Sequence, residues 1–320
     1  MPSSFSYLKT INVSFINIKK DYNRSMDTKL ETFLTVCETK KFTVAAEKLN
    51  LTQPAISQHI RQLEQEYNVK LFARVNNEMV LTKNGEIMYK YALRIQSLYS
   101  NLSRKLIDSK KNTRNLTIGI THTSESNITP MILADYSIEN KGSYIKIVSD
   151  TTKNLYEKLN NYQIDLAIIE GKVNNKKYSS ILLGTDSLVA VMSPLNPLSA
   201  KKIITINDLK KEKLIVRTLE SGTTSLFVNE LEKNDLSLDD FQIYLEIDSV
   251  YSIKDLLKRN LGVSILARSA CKKEINDKEL VAIPIENLDL SREISLVYID
   301  DNVDRDVLED ISSIYHQKVS

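Results

Sequence analysis

The apolar pattern of this 320-residue chain changes to alternating strands and helices beyond about residue 112, and that change restricts the fold more than any other feature. Before it, from Thr28 to Leu63, apolar residues recur at helical spacings, and a long helix to about Ser109 closes this part. After it, short strand-like runs alternate with helical stretches. A single bundle or sheet cannot absorb both patterns, so the expected fold is α+β and multidomain, a helical front joined to an α/β rear. At about 100–200 residues per domain the length allows two or three.

In the front part, the first helix carries Leu30, Phe33, Leu34 and Cys37 on one side. A short second helix, about Thr43 to Leu49, turns Val44, Ala45, Ala46 and Leu49 inward. The tight connection Asn50-Leu51-Thr52 leads into a third helix, about Gln53 to Glu66, with Ile56, Ile60 and Leu63 as its buried stripe. Thr52 is suited to cap that helix, and Pro54 falls in its first turn, where a missing N–H removes no hydrogen bond. Two helices joined by so short a turn make a helix-turn-helix. Its outer face would offer Gln53, Ser57, Gln58, His59, Arg61 and Gln62, side chains able to reach base edges and phosphates. An ordinary three-helix bundle with a solvated polar face has the same pattern.

The next segment favours the first reading. Leu71–Arg74 and Val75–Thr82 read as a short hairpin with a polar Asn76-Asn77 tip, a wing behind a helix-turn-helix. Thr82 then caps a long helix to about Ser109 with no internal proline. Its residues Tyr91, Ile95, Leu98, Leu102 and Leu106 follow one another at 4, 3, 4 and 4 positions, a coiled-coil seam of about two heptads. Such a stripe must be buried, and pairing with a second copy is the economical solution; packing within its own domain is the alternative.

Strand-like runs in the rear are Leu116–Ile120, Tyr144–Val148, Asp165–Glu170, Ser187–Met192, Leu214–Val216, Phe241–Ile247, Val263–Ala267 and Ile294–Ile299. About 200 residues of this kind are enough for two lobes. The Pro194–Leu198 stretch reads as an irregular link where the chain could pass between them. Charge divides along the same line. Residues 1–25 balance at +3, residues 26–108 at +3 and residues 109–320 at −4, which puts any nucleic acid at the front. Residues 1–25 show no period and read as a loosely ordered extension, with Met26 a candidate natural start. No apolar window is long enough for a membrane span, and the N-terminus lacks a signal-peptide core, so a cytoplasmic location is expected. Cys37 and Cys271 read as structural thiols.

Taken together, Leu30–Phe33, Thr43–Leu49, Thr52–Ser57, Ile60–Glu64, Leu71–Arg74 and Leu81–Gly85 resemble the LysR-type transcriptional regulators in order and spacing. The likeness extends more loosely through Asp165–Ile168, Ser221–Thr223, Ser252–Lys254 and Leu261–Ser264. It implies an N-terminal winged helix-turn-helix over residues 26–84 and a linker and dimerisation helix over 85–112. It further implies a two-lobed effector domain over 113–320, similar to periplasmic binding proteins. The first lobe is expected at about 113–190 and 286–320, the second at about 191–285. The implied partners are double-stranded operator DNA, a small-molecule effector, a second copy in a dimer and then a tetramer, and RNA polymerase; no cofactor is called for. Transferred position by position, Thr52, Gln53, Pro54, Ala55, Ser57, Gln58, Arg61, Arg74 and Asn77 would serve DNA, with Gln53 and Ser57 at base edges and Arg61 on phosphate. The family's wing often has a basic residue where Asn77 stands, which weakens the expectation of a groove contact there.

For the effector, a cleft between lobes lined by helix N-termini suits an anion, because free backbone N–H groups and the helix dipole point into it. Thr121, His122, Thr123 and Ser124 follow the first strand, Thr152 precedes a helix, and Ser221, Gly222 and Thr223 open another. Each hydroxyl could equally do no more than cap its own helix. The Thr121-His122-Thr123 run is also similar to the loop of the family's sulfur-assimilation branch. Arg often follows the Ser-Gly-Thr loop in the family, but Thr224 stands there, so no cationic clamp is expected at that station. An enzyme is the main rival reading, but His59, His122 and His316 are widely separated and no phosphate loop or paired Cys-x-x-Cys occurs. A solute-binding transport protein would fit the rear alone.

Overall fold

The computed structural model describes residues 26–76, 78–173, 175–300 and 302–319. The expectations for residues 1–25 and for Asn77 lie outside them. The chain forms two units, one running to Asn112 and including Asn160–Gln163, the other made of Thr113–Leu159 and the residues from Ile164 onward.

In the first unit, helix α1 (Thr28–Thr39) starts at Asp27, whose carboxylate accepts from Lys29 N, and stops at Lys40 in the left-handed conformation. Helix α2 (Phe42–Leu49) ends the same way at Asn50, a residue type that tolerates positive φ. Helix α3 (Gln53–Glu66) begins at Thr52, whose hydroxyl accepts from Ala55 N, with Pro54 in the first turn. Phe33, Val36, Ala45, Ile56, Leu63 and Leu71 make the core these helices share. Val44, expected inside, is exposed, because Ala45 and Ala46 take the inward positions of so short a helix. The wing is an antiparallel pair, β1 (Phe72–Val75) and β2 (Glu78–Leu81), in which Phe72 faces Leu81. Phe72 anchors it, with ring centroids 5.5 Å from Phe33 and 6.1 Å from Phe42. Helix α4 (Lys83–Lys111) follows, capped by Thr82 through Gly85 N and closed by left-handed Asn112.

The second unit starts with β3 (Arg114–Thr121), α5 (His122–Glu125), α6 (Thr129–Glu139), β4 (Ser143–Asp150), α7 (Thr152–Asn160) and β5 (Leu166–Glu170). It continues with β6 (Ser179–Met192), α8 (Ile206–Leu209), β7 (Lys213–Val216), α9 (Gly222–Glu232), β8 (Gln242–Glu246), α10 (Val250–Lys258) and β9 (Val263–Ala267). Helix α11 (Lys272–Asn276), β10 (Val281–Ile283), β11 (Ser291–Tyr298) and α12 (Arg305–Val319) complete it. The strands are hydrogen-bonded in the order β4-β3-β5-β11-β6-β9-β7-β8, with β10 also on β6. Strand β6 serves both halves of this order: Ser179–Ser187 pair with β11, and Leu188–Met192 pair with β9. The first lobe is therefore built on β4, β3, β5 and β11, which place Ile118, Ile168 and Leu296 against Tyr136 of α6 and Ile311 of α12. In the second, Leu214, Val263 and Ile265 pack against Phe227 and Leu231 of α9, while Ile253 and Leu257 of α10 cover Val191 and Leu266.

The passage between lobes differs from the sequence expectation. It occurs inside β6 at Ser187–Leu188, upstream of Pro194, and Pro197–Ala200 form a 3₁₀ turn after that strand. A strand can carry the chain across because its backbone stays paired throughout, which an irregular proline-rich segment would not allow.

Candidate functional sites

On α3, the polar face includes Gln53, Pro54, Gln58 and Arg61, all exposed, with Ala55 and Ser57 half-buried. Gln53 Nε2 donates to Ser57 Oγ at 3.1 Å, so the two expected base readers form one hydrogen-bonded pair a helical turn apart. Arg61 Nε donates to Ser57 O at 3.3 Å, which folds the guanidinium back along its own helix. His59 departs from the expected outer face: its Nδ1 lies 2.8 Å from Thr32 Oγ1, where it ties α3 to α1. A groove bordered by Gln53, Ser57, Arg74 of the wing, and Lys40 and Lys41 of the α1–α2 turn runs beside this face. The two lysines and Arg74 are exposed, with no carboxylate within ion-pair distance among the described residues. Lys40 and Lys41 escaped the sequence reading because a basic pair in a turn looks like an ordinary solvated end. The signal was their position next to the helix-turn-helix.

Along α4, Tyr91, Ile95, Leu98, Leu102 and Leu106 are all exposed, by between 36% and 58%. The seam expected from their spacing is thus a continuous apolar stripe that its own chain leaves largely open to solvent.

In the second unit, the C-terminal end of β3, the N-termini of α5, α7 and α9, and the ends of β5 and β7 meet around a cavity of about 20 Å³. Of the eight effector residues expected, Thr121, His122, Thr123, Thr152, Ser221 and Gly222 line it. Ser124 and Thr223 do not. Ser124 Oγ donates to Glu170 Oε1 at 2.6 Å, and Thr223 uses its backbone N–H to satisfy Ser221 Oγ at 3.2 Å. The cap of α7 is supplied by Thr151, which accepts from Asn154 N, leaving Thr152 as that helix's first residue.

Charge in this cleft comes from residues the sequence reading missed: Asp150, Glu170, Arg217, Glu220 and Arg292. Asp150 is held by Lys158 Nζ at 2.6 Å and Asn154 Nδ2 at 2.7 Å. Burial would raise its carboxyl, but these donors and Thr151 N–H outweigh that and keep it below the ordinary range. Glu170 is buried and accepts from Thr121 Oγ1 and Ser124 Oγ, both at 2.6 Å. Arg217 is buried at the end of β7; it pairs Nη2 with Asp248 Oδ1 at 2.7 Å and donates Nε to Asp248 O at 3.0 Å. Its third arm crosses the cleft and donates Nη1 to Thr123 Oγ1 at 3.3 Å. Thr224, at the station where a clamp arginine was looked for, donates Oγ1 to Arg217 O at 2.8 Å and so positions the cation that does stand there. Two further contacts link the walls: Tyr251 Oη donates to Glu125 O at 3.2 Å, and His122 Nε2 lies 3.8 Å from Asp248 Oδ2.

Two family models match this arrangement. The bacterial regulatory helix-turn-helix protein of the LysR family covers residues 28–86, and the LysR substrate-binding domain covers residues 109–311. The chain belongs to the LysR family. It is a LysR-type transcriptional regulator with a helix-turn-helix domain and an effector-binding domain. Among LysR relatives, the HTH-type transcriptional regulator CysL of Bacillus subtilis is 28% identical over 84% of this chain and 89% of its own length. A probable RuBisCO transcriptional regulator of Phaeodactylum tricornutum is 29% identical over 82% and 87%. In three dimensions the chain is similar to the LysR regulator CbnR, with a TM-score of 0.67 at 16% identity over 92% of this chain and 100% of that one. Full-length OxyR from Pseudomonas aeruginosa gives a TM-score of 0.63 at 20% identity over 92% and 95%. Burial pushes the thiols of Cys37 and Cys271 up to about 12. Among the described residues, no helix is long and apolar enough to cross a membrane.

Proposed function

We propose that this regulator binds operator DNA in the cytoplasm as a homodimer that assembles further into a tetramer, and that a small anion between its lobes retunes transcription through RNA polymerase. On this reading α3 enters the major groove. Gln53 and Ser57 read base edges as a pair, while Arg61, Arg74, Lys40 and Lys41 hold phosphates. Thr52 and Pro54 set the start of the helix, and Ala55 and Gln58 flank its contact surface. The α4 stripe pairs with its copy on a second chain, because so much exposed apolar surface on one helix face is stabilised by burial against a matching face. CbnR has been seen in complex with its target DNA, a precedent for the same use of a similar fold.

The observation that carries the effector reading is the meeting of six expected residues at three helix N-termini around one cavity, with two buried arginines in its wall. Backbone N–H groups at those termini and the guanidinium groups both favour an anion. The test is binding of the purified protein to the intergenic DNA upstream of its own gene, at two salt concentrations, against unrelated DNA of equal length. Preferential binding that weakens as salt rises, and that shifts on adding small organic or inorganic anions, is expected. Binding that ignores both sequence and salt would overturn the DNA reading. Operator binding that no anion alters would overturn the effector reading.

A further inference from the structure

Arg292, at the start of β11, is only 7% exposed and lines the cleft. Its Nε and Nη2 have no hydrogen-bond partner among the described residues. The nearest carboxylate is Asp186, with Oδ2 4.0 Å from Nη2, beyond hydrogen-bond reach. These two nitrogens make up one edge of the guanidinium, where two N–H bonds lie parallel and match the two oxygens of an oxoanion. That edge is shielded from solvent, and the charged groups around it leave it unpaired. Arg217 on the opposite wall uses all three of its nitrogens, on Asp248 and Thr123. Glu170 has each carboxylate oxygen occupied by a hydroxyl donor. Asp186 accepts from Ser269 Oγ at 2.7 Å, Ser269 N at 3.2 Å and Ser187 N at 2.9 Å. Glu170 and Asp186, like Asp150 with Lys158 and Asn154, are thus engaged elsewhere. A buried cation without a close partner is among the most unfavourable groups a fold can contain, and one kept at the floor of a cleft points to an external counter-charge.

We infer that Arg292 is the residue that selects the effector of this cleft. Its Nε/Nη2 edge takes two oxygens of a compact oxoanion group, either a carboxylate or a free tetrahedral anion such as phosphate or sulfate. The inference rests on the reading of the cleft as an anion site. Position gives the contact a regulatory consequence. Arg292 stands directly opposite Asp186 across the β11–β6 pair, one residue before β6 begins its passage to the other lobe. An anion on this edge competes with Asp186 for Arg292 at the point where the lobes are joined, so occupancy is felt at the hinge itself.

The full-length protein is titrated with sodium phosphate, sulfate and acetate against chloride at matched ionic strength, by calorimetry and by thermal melting. The titration is repeated for Arg292→Gln, Arg292→Lys, Asp186→Asn and Gly222→Leu. A Cβ at Gly222 would stand 4.0 Å from Thr152 Oγ1, so a leucine there fills the cleft. The expected result is binding of at least one oxoanion by the wild type and its loss in Gly222→Leu. Affinity should fall at least about tenfold in Arg292→Gln and by less in Arg292→Lys, which keeps the charge without the fork. The ranking of acetate against phosphate and sulfate identifies the source of the oxygens. Anion-free Arg292→Gln should melt at or above the wild-type temperature, since it loses a poorly compensated buried charge. Should Gly222→Leu abolish binding while Arg292→Gln binds like wild type, the cleft reading stands and the role of Arg292 is overturned. A matched fall in anion-free melting temperature for Arg292→Gln and Asp186→Asn, or failure of both to fold, would make Arg292 a structural partner of Asp186 and also overturn it. No response of the wild type to any oxoanion would overturn both readings.

Discussion

Replacing Gly85 by alanine sets a gain in helix propensity against a steric collision, and the structure says which prevails. Gly85 is the third residue of α4, buried against the wing, and its N–H satisfies the Thr82 cap. Alanine would favour the helix by about 0.5–1 kcal/mol. Its Cβ, however, would lie 2.1 Å from Leu71 O and 2.9 Å from Leu81 Cδ2, where ordinary contact begins at 3.4 Å. The carbonyl cannot easily retreat. Leu71 O accepts from Thr82 N at 2.9 Å, and Leu71 N donates to Glu64 Oε1 at 2.8 Å. Relief therefore requires parting α4 from the segment leading into β1, at about 1–3 kcal/mol for overpacking and about 1 kcal/mol for the weakened cap. The net expectation is a loss of about 1–3 kcal/mol, confined to the helix-turn-helix unit. For a unit of this size that corresponds to a fall of about 4–24 °C in its melting temperature. Circular dichroism melting of wild type and Gly85→Ala measures it, and operator binding should weaken in parallel as Arg74 is displaced with the wing. A Gly85→Ala protein melting at or above the wild-type temperature would refute the reasoning, since propensity would then have outweighed the collision.

Four other substitutions address separate parts of the molecule. Ser57→Ala should relax preference at one base position of the operator by about 1–3 kcal/mol and release Gln53, whereas Arg61→Ala should weaken binding to every sequence and reduce the salt slope by about one; identical profiles for the two across a substituted operator would contradict the division. Leu98→Glu puts a charge in the middle of the exposed α4 stripe and should give monomers in analytical sedimentation, so a dimeric Leu98→Glu protein would remove that stripe from the interface. Glu64 is driven upward by burial but more strongly downward by Lys70 Nζ and Leu71 N, so its folded carboxyl lies below the ordinary value of 4.5. A depressed carboxyl contributes stability above its unfolded value and loses it as pH falls through the folded one. Glu64→Gln should therefore flatten the decline in stability below about pH 4.5, and parallel wild-type and Glu64→Gln acid curves would count against this linkage.

Much of the front unit was legible because its signals are local. Thr52, Pro54 and Thr82 mark helix starts through their own hydroxyls or missing N–H, and the α4 stripe follows from spacing alone. Side-chain direction within a polar face was less so. His59 sits in sequence beside the polar Gln58 and Arg61, yet it turns inward because Thr32 offers a partner from another helix. In the rear unit, apolar strands such as Val263–Ala267 were read to the residue, whereas the first half of β6 was missed because Gly184, Thr185 and Asp186 interrupt its pattern. The cleft shows the same bias. Its hydroxyl residues advertise themselves as caps, but Glu170, Arg217 and Arg292 sit at strand ends, where a charge ordinarily means solvent. Only the packing of other elements around those ends buries them.

The continuity of β6 from one lobe to the other bears on how such a sensor can be reused. A cut between lobes would sever a strand paired on both sides, so neither lobe can be lifted out, swapped or evolved as an independent cassette. The boundary after Asn112 is different in kind: a helix ends there in a left-handed residue, and a strand of the next unit begins at Arg114. Recombination, natural or engineered, that exchanges whole sensors at that joint keeps every strand pair intact. Tuning within the sensor must instead proceed by single substitutions around a hinge that both lobes own.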